Sequence, residues 1–126
     1  MPVRSLTQSV LRWPEPEQVL AAVSQWAEQQ GKRCSSLQQL GVFGSYGRGE
    51  AGVGSDLDLL IVDEAASGSQ SERLLQWPLE QLPLCCDALV LSGEELQRLL
   101  GSDQRMGQEL QRDLRWLWTR SGGKVQ

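Results

Sequence analysis

The chain contains no histidine and only three cysteines, Cys34, Cys85 and Cys86, in 126 residues. Without histidine, and without a Cys-x-x-Cys pair, a structural zinc site has almost no ligands to draw on. An odd number of cysteines, two of them adjacent, argues against a disulfide framework and for reduced thiols in a cytoplasmic protein. No apolar run approaches the roughly 20 residues that span a bilayer. The first 13 residues, MPVRSLTQSVLRW, lack the apolar core of a signal peptide. No membrane association is expected. Basic residues are also scarce, 12 Lys and Arg against 16 Asp and Glu. The deficit lies in residues 1–97, which carry 6 basic and 13 acidic side chains. Such a balance does not supply a nucleic-acid footprint, so direct nucleic-acid binding is not expected. There is no internal repeat and no low-complexity segment. What remains, 40% hydrophobic, fits one domain over residues 1–126, with 1–13 and 121–126 poorly ordered.

The informative stretch is Gly41 to Val62, GVFGSYGRGEAGVGSDLDLLIV. A short apolar run through Val42 and Phe43 ends at Gly44-Ser45, as a strand feeding a tight turn would. Six of the fourteen residues from Gly41 to Gly54 are glycine. The backbone there can approach a ligand closely and turn its N–H groups toward an anion, of which phosphate is the obvious case. Beyond ten intervening residues after Ser45 stand Asp56 and Asp58, at the start of an apolar run. In a strand, a spacing of two puts both carboxylates on one face. Like charges held together disfavour joint ionisation unless a cation lies between them. Mg²⁺ takes one or two carboxylates and completes its shell with water and phosphate oxygens, which a neighbouring glycine loop would deliver.

Along the chain, Trp13-Pro14-Glu15-Pro16-Glu17 reads as a helix start, with Val19, Leu20, Val23, Trp26 and Ala27 at helical spacing up to about Gln30 and Gly31 as the stop. A strand is predicted over Leu37–Phe43, a short helix over Tyr46–Ala51 with Arg48 in its first turn, and a central strand over Leu57–Val62. Residues 71–82 read as helical, kinked or split at Pro78. Leu84–Leu91, LCCDALVL, reads as a third strand with Asp87 as its one charge. An Asp in a central strand is costly to bury without a cation or several donors; the alternative is an edge strand with Asp87 facing water. Ser92-Gly93-Glu94-Glu95 is a capping box that opens a helix stopped at Gly101. A last helix is predicted over Asp103–Trp118, its core stripe formed by Met106, Leu110, Leu114 and Leu117. Trp116, Trp118, Arg112, Arg115 and Arg120 then lie off that stripe, where they either cover the sheet edge or form a partner interface.

Gly44-Ser45, the ten-residue spacing, Asp56 and Asp58 resemble the signature of the DNA polymerase beta-like nucleotidyltransferase superfamily. GSYGRG, with Arg48-Gly49, is similar to the GSxARG form of the minimal nucleotidyltransferases, small antitoxins paired with HEPN-domain toxins. Gly47 departs from that form, which has alanine there, and is expected to leave room for a phosphate. The resemblance implies an α/β (α+β) fold, a small mixed β-sheet with helices mainly on one face. It implies two Mg²⁺ ions held by Asp56, Asp58 and Asp87, with Asp87 as the third carboxylate from the neighbouring strand and acceptor of the nucleophile's proton. Gly44 and Ser45 would bind the nucleotide's phosphates, with Arg48 adding charge or bracing the loop. The implied activity is AMP transfer from ATP to a hydroxyl, in the minimal form a tyrosine of a HEPN toxin, and the chain's shortness suits an acceptor supplied by another protein. A non-catalytic antitoxin and a nucleotidyltransferase acting on a small molecule are the alternatives; self-association is left open.

Overall fold

The first helix, α1 (Pro16–Arg33), starts where proline is tolerated and where Gln18 Oε1 accepts from the Glu15 N–H at 3.0 Å. It buries Val19, Val23, Trp26, Ala27 and Gln30 at spacings of three and four. The helix passes through Gly31 rather than stopping there. A Cβ on Gly31 would lie 2.6 Å from Trp118 Cζ2, so the glycine admits an indole against the helix backbone instead of ending it. Arg120 ties the same corner by donating to the carbonyls of Gly31 (2.9 Å), Cys34 (3.0 Å) and Leu37 (2.8 Å).

The computed structural model describes residues 13–120, 123 and 124; the expectations of poor order at 1–12 and at 121, 122, 125 and 126 fall outside the described residues. Five strands form one mixed sheet among these residues: β1 (Leu37–Phe43), β2 (Leu57–Asp63), β3 (Cys86–Leu91), β4 (Arg115–Thr119) and β5 (Gly123–Lys124). Their order is β3-β2-β1-β4-β5, with β2 and β3 parallel and the other pairs antiparallel. The mixed α/β sheet is as the sequence predicts. The connection from β2 to β3 holds α2's successor, α3 (Gln70–Leu74), and a 3₁₀ turn at Leu79–Gln81, split at Pro78 as expected; α2 itself (Gly44–Arg48) lies between β1 and β2.

Alternation along β2 divides the core. Leu57, Leu59 and Ile61 join α1 in one apolar layer with Leu40, Val42, Trp77 and Val90. Leu60 and Val62 point the other way, into a layer closed by Leu96 of α4 (Gly93–Leu100) and Leu110 of α5 (Arg105–Asp113). Helices therefore cover both faces, a refinement of the expected mainly one-sided arrangement. β2 is central and covered, as expected from its unbroken apolar run.

The predicted helix over Asp103–Trp118 is the main correction. It ends at Asp113, and Arg115–Thr119 extends as β4 along β1. Tertiary pairing overrides the four-residue leucine spacing, and the tryptophans and Thr119 are residues that suit a strand. The register shifts between Leu40 and Gly41, breaking the alternation. Leu117 and Trp118 thus both enter the first layer while Trp116 packs on the second. Trp118 is only 4% exposed and covers the sheet beside α1, while Arg112 and Arg120, though exposed, bond within the chain.

A buried arginine joins three elements on the β3 side. Arg73 of α3 donates to the Val90 carbonyl at 2.7 Å and to both Glu95 oxygens at 2.7 and 3.0 Å. Arg73, together with the backbone N–H of Ser92, pulls the Glu95 carboxyl down to about 2. A carboxylate depressed in the folded state contributes stability that is present above its unfolded value and lost as pH falls through the folded one. Glu95→Gln is expected to lower the urea midpoint at pH 7, and the gap to wild type should close between about pH 4.5 and 2. Gly31→Ala, although a helix-interior change that by itself gains about 0.5–1 kcal/mol, is expected to lose about 1–3 kcal/mol net by overpacking against Trp118, read from urea unfolding.

Candidate active site

The site begins with strand pairing. Phe43 ends β1 opposite Asp58 of β2, so the chain leaves the strand level with that carboxylate. Gly44 then takes φ +65°, a left-handed conformation that side chains disfavour. A Cβ there would also run into Asp58 Oδ2. Glycine is required twice over, by the backbone and by its neighbour. α2 starts at this glycine and ends at Gly49 with φ +77°, earlier than the predicted Tyr46–Ala51, so Arg48 closes the helix instead of opening it. Tyr46, 1% exposed, pins the turn into the first apolar layer. Ser45 stands half-buried in the first turn, where helix N–H groups have no intrahelical partners.

The loop back to β2 closes on itself: Ser55 N–H donates to the Gly52 carbonyl at 3.0 Å, and Gly52 N–H donates to Ser55 Oγ at 2.9 Å. That turn delivers Asp56, exposed just ahead of β2, and then Asp58, half-buried within it. Asp58 has the parity of Leu60 and Val62 and so faces the α5 side of the sheet. Across the parallel pairing its register partner is Asp87, one strand spacing of roughly 4.8 Å away. β3 is an edge strand and Asp87 is exposed, which corrects the expectation of a carboxylate buried in a central strand. Water reaches it, so no desolvation has to be offset there.

The structure adds a fourth carboxylate. Glu109 of α5 is half-buried, and its negative charge acts on Asp58. It stands on the helix face of Met106, Leu110 and buried Asp113; that spacing of three and four was the available signal, obscured by tracing the stripe onward into what is a strand. The Asp58 carboxyl is pushed above its ordinary range, first by burial and then by Asp87, Glu109 and Asp56, with Arg48 opposing. Among the described residues no three His, Cys, Asp or Glu side chains form a ready metal cage. The donors are all carboxylate oxygens, the chemistry of a hard cation. A cation drawing most of its shell from water and phosphate fits them; one requiring a full protein cage does not.

Arg48 is committed within the chain. Its Nε donates to Glu50 Oε1 and its Nη1 to Asp113 Oδ2, both at 2.9 Å. The Asp113 side chain is fully buried and also accepts from Arg112 Nε at 2.8 Å and Nη2 at 3.0 Å. Arg112 first, and Arg48 with it, hold that carboxyl below the usual range. Asp113 reaches the turn with its backbone as well, since a Cβ on Gly47 would strike its carbonyl oxygen. The space expected at Gly47 for a phosphate is thus filled by Asp113.

Gly44, Ser45, Arg48, Asp56, Asp58 and Asp87 lie around one end of the β1, β2 and β3 strands. The family model described as nucleotidyltransferase domain matches residues 27–112, more than half of the chain. A crystal structure of a provisionally assigned nucleotidyltransferase from Sulfolobus solfataricus, at 1.40 Å resolution, superposes with a TM-score of 0.66 over 87% of this chain and 88% of that one, at 22% identity. This similarity is one of fold. No curated protein matches. Gly44→Ala is expected to cost about 1–2 kcal/mol from the left-handed backbone alone, plus a clash that Asp58→Ala relieves. Urea unfolding of Gly44→Ala, Asp58→Ala and the double variant should therefore give a double variant more stable than the sum of the single losses.

Proposed function

Because the chain belongs to the nucleotidyltransferase domain family, whose chemistry is nucleotidyl transfer, we propose that it transfers AMP from ATP to a protein hydroxyl, a tyrosine of a HEPN-domain toxin, and so acts as an antitoxin. The observation that carries the reading is the seating of the Gly44 turn against Asp58, with Asp87 beside it in register. One element suited to a triphosphate and one suited to the acceptor meet at a single carboxylate. AMP as the group transferred and the HEPN toxin as partner rest on the likeness of GSYGRG to the minimal nucleotidyltransferases.

In this scheme Ser45 and the first N–H groups of α2 hold the β and γ phosphates, as helix N–H groups and their dipole favour. The acceptor oxygen attacks the α-phosphorus, the bond to the β-phosphate oxygen breaks, and pyrophosphate leaves with that electron pair. Asp87, solvent-facing on the edge strand, takes the hydroxyl proton. Asp56, Asp58 and Asp87 would hold the two Mg²⁺ ions, which supply charge stabilisation for the phosphates and acidify the attacking hydroxyl. Burial first, and then the charges of Asp87, Glu109 and Asp56, raise the Asp58 carboxyl, and cationic charge would offset both. Among the described residues no helix is long and apolar enough to cross a membrane.

Intact mass of the protein co-purified with its natural partner, before and after Mg²⁺-ATP, tests this directly. The partner should gain one or more AMP units with wild type and none with Asp56→Ala/Asp58→Ala. A stable complex in which neither chain gains mass would leave inhibition by binding alone, and transfer only to a small hydroxyl compound would displace the antitoxin reading.

A further inference from the structure

Arg48 offers its charge at the mouth of the site, yet Asp113 already claims it. We infer that Asp113 is a positioning residue: through Arg48 and through its own carbonyl against Gly47, it sets the Gly44–Arg48 turn in its phosphate-receiving shape. This rests on the AMP-transfer reading for the identity of the ligand, and it assigns a role to a residue beyond the end of the family match at 112.

The burial of the pair supports a fixed clamp. Asp113 is a fully buried carboxylate between two guanidiniums, and the Arg48 side chain is 37% exposed. To grip a phosphate with the same Nη1, Arg48 would leave a buried carboxylate to Arg112 alone, and removing one partner from a buried charge is expensive. The Arg48 Nε is occupied as well, by Glu50, the residue just past the turn. The backbone contact is independent of charge: Gly47 lies so close to the Asp113 carbonyl that no side chain fits between them. Connectivity makes the clamp stiff. Asp113 ends α5 two residues before β4, whose Arg115 pairs with Val42 of β1, and β1 runs directly into Gly44. The turn is therefore held from both sides by one strand pair, and both of its glycines face polar oxygens of the fold, Gly44 that of Asp58 and Gly47 that of Asp113.

The test uses the full chain, with Mg²⁺-ATP as the probe. Amide exchange over a peptide spanning Gly44–Glu50 should accelerate about fivefold or more in Asp113→Asn and in Arg48→Gln while β2 keeps its protection. The calorimetric Kd for Mg²⁺-ATP should rise about tenfold in each, and the double variant should be no weaker than either alone. An Asp113→Asn turn as protected as wild type overturns the inference, whatever the nucleotide does. So does an Asp113→Asn protein that binds ATP as well as wild type while Arg48→Gln loses affinity, since Arg48 would then be a direct phosphate ligand. Should Asp113→Asn fail to fold by circular dichroism, Gly47→Ala decides, because it keeps both charges and presses first on the Asp113 carbonyl, with the Val42 carbonyl 3.1 Å away giving only a minor contact: faster exchange of the turn supports the clamp and unchanged exchange overturns it. Wild type without affinity for Mg²⁺-ATP counts against the AMP-transfer reading, and the exchange result still decides the clamp.

Discussion

Everything at this site depends on the approach of Gly44 to Asp58. The antiparallel register of β1 and β2 puts Phe43 opposite Asp58, and the chain must then turn at once without a side chain in the way. Moving that register by one residue would send Asp58 to the α1 face and the turn away from it, because strand side chains alternate. The buried run Leu57, Leu59 and Ile61 on one face, with Leu60 and Val62 on the other, makes such a slip costly. The core therefore specifies the site's geometry as well as the stability of the sheet.

Around that contact the charges are arranged in two groups of different character. Burial, and after it the charges of Asp87, Glu109 and Asp56, raise the Asp58 carboxyl, an imbalance suited to a cation and to the phosphates it accompanies. Arg48 and Arg112 with Asp113 and Glu50 form a balanced cluster of two bases and two acids, with Asp113 buried and both bases attached to it. The first group is poised for a ligand; the second is already satisfied. That contrast separates residues suited to chemistry from residues that hold the turn, although all of them lie within one small region.

Much of this was legible in the chain itself. β1 is read to the residue, since an apolar run cut off by Gly-Ser has few other interpretations, and the capping box at Ser92–Glu95 is found as read. The strand that carries Asp58 was also legible, from the apolar run Leu57–Val62, while Asp56 stands just ahead of it. The last segment was not legible. Leucines at 110, 114 and 117 keep helical intervals, and nothing local shows that β1 has a free edge waiting for Arg115–Thr119. Losing that strand hid three further facts: Trp118 packs on Gly31, Asp113 lies at a helix end beside Gly47, and the charge of Glu109 acts on Asp58.

The sequence by itself determined the elements whose causes are local: caps, glycine turns, the alternation of faces along β2, and the apolar runs that must be covered. These follow from backbone sterics and short-range hydrogen bonding, which act within a few residues. Only the tertiary structure decided what crosses long stretches of chain. It made β3 an edge and so exposed Asp87, paired β4 with β1, and brought Asp113 across 65 residues of sequence to Arg48. The physical reason is that burial and strand pairing are settled by the whole core at once, and no short window of sequence contains the partner.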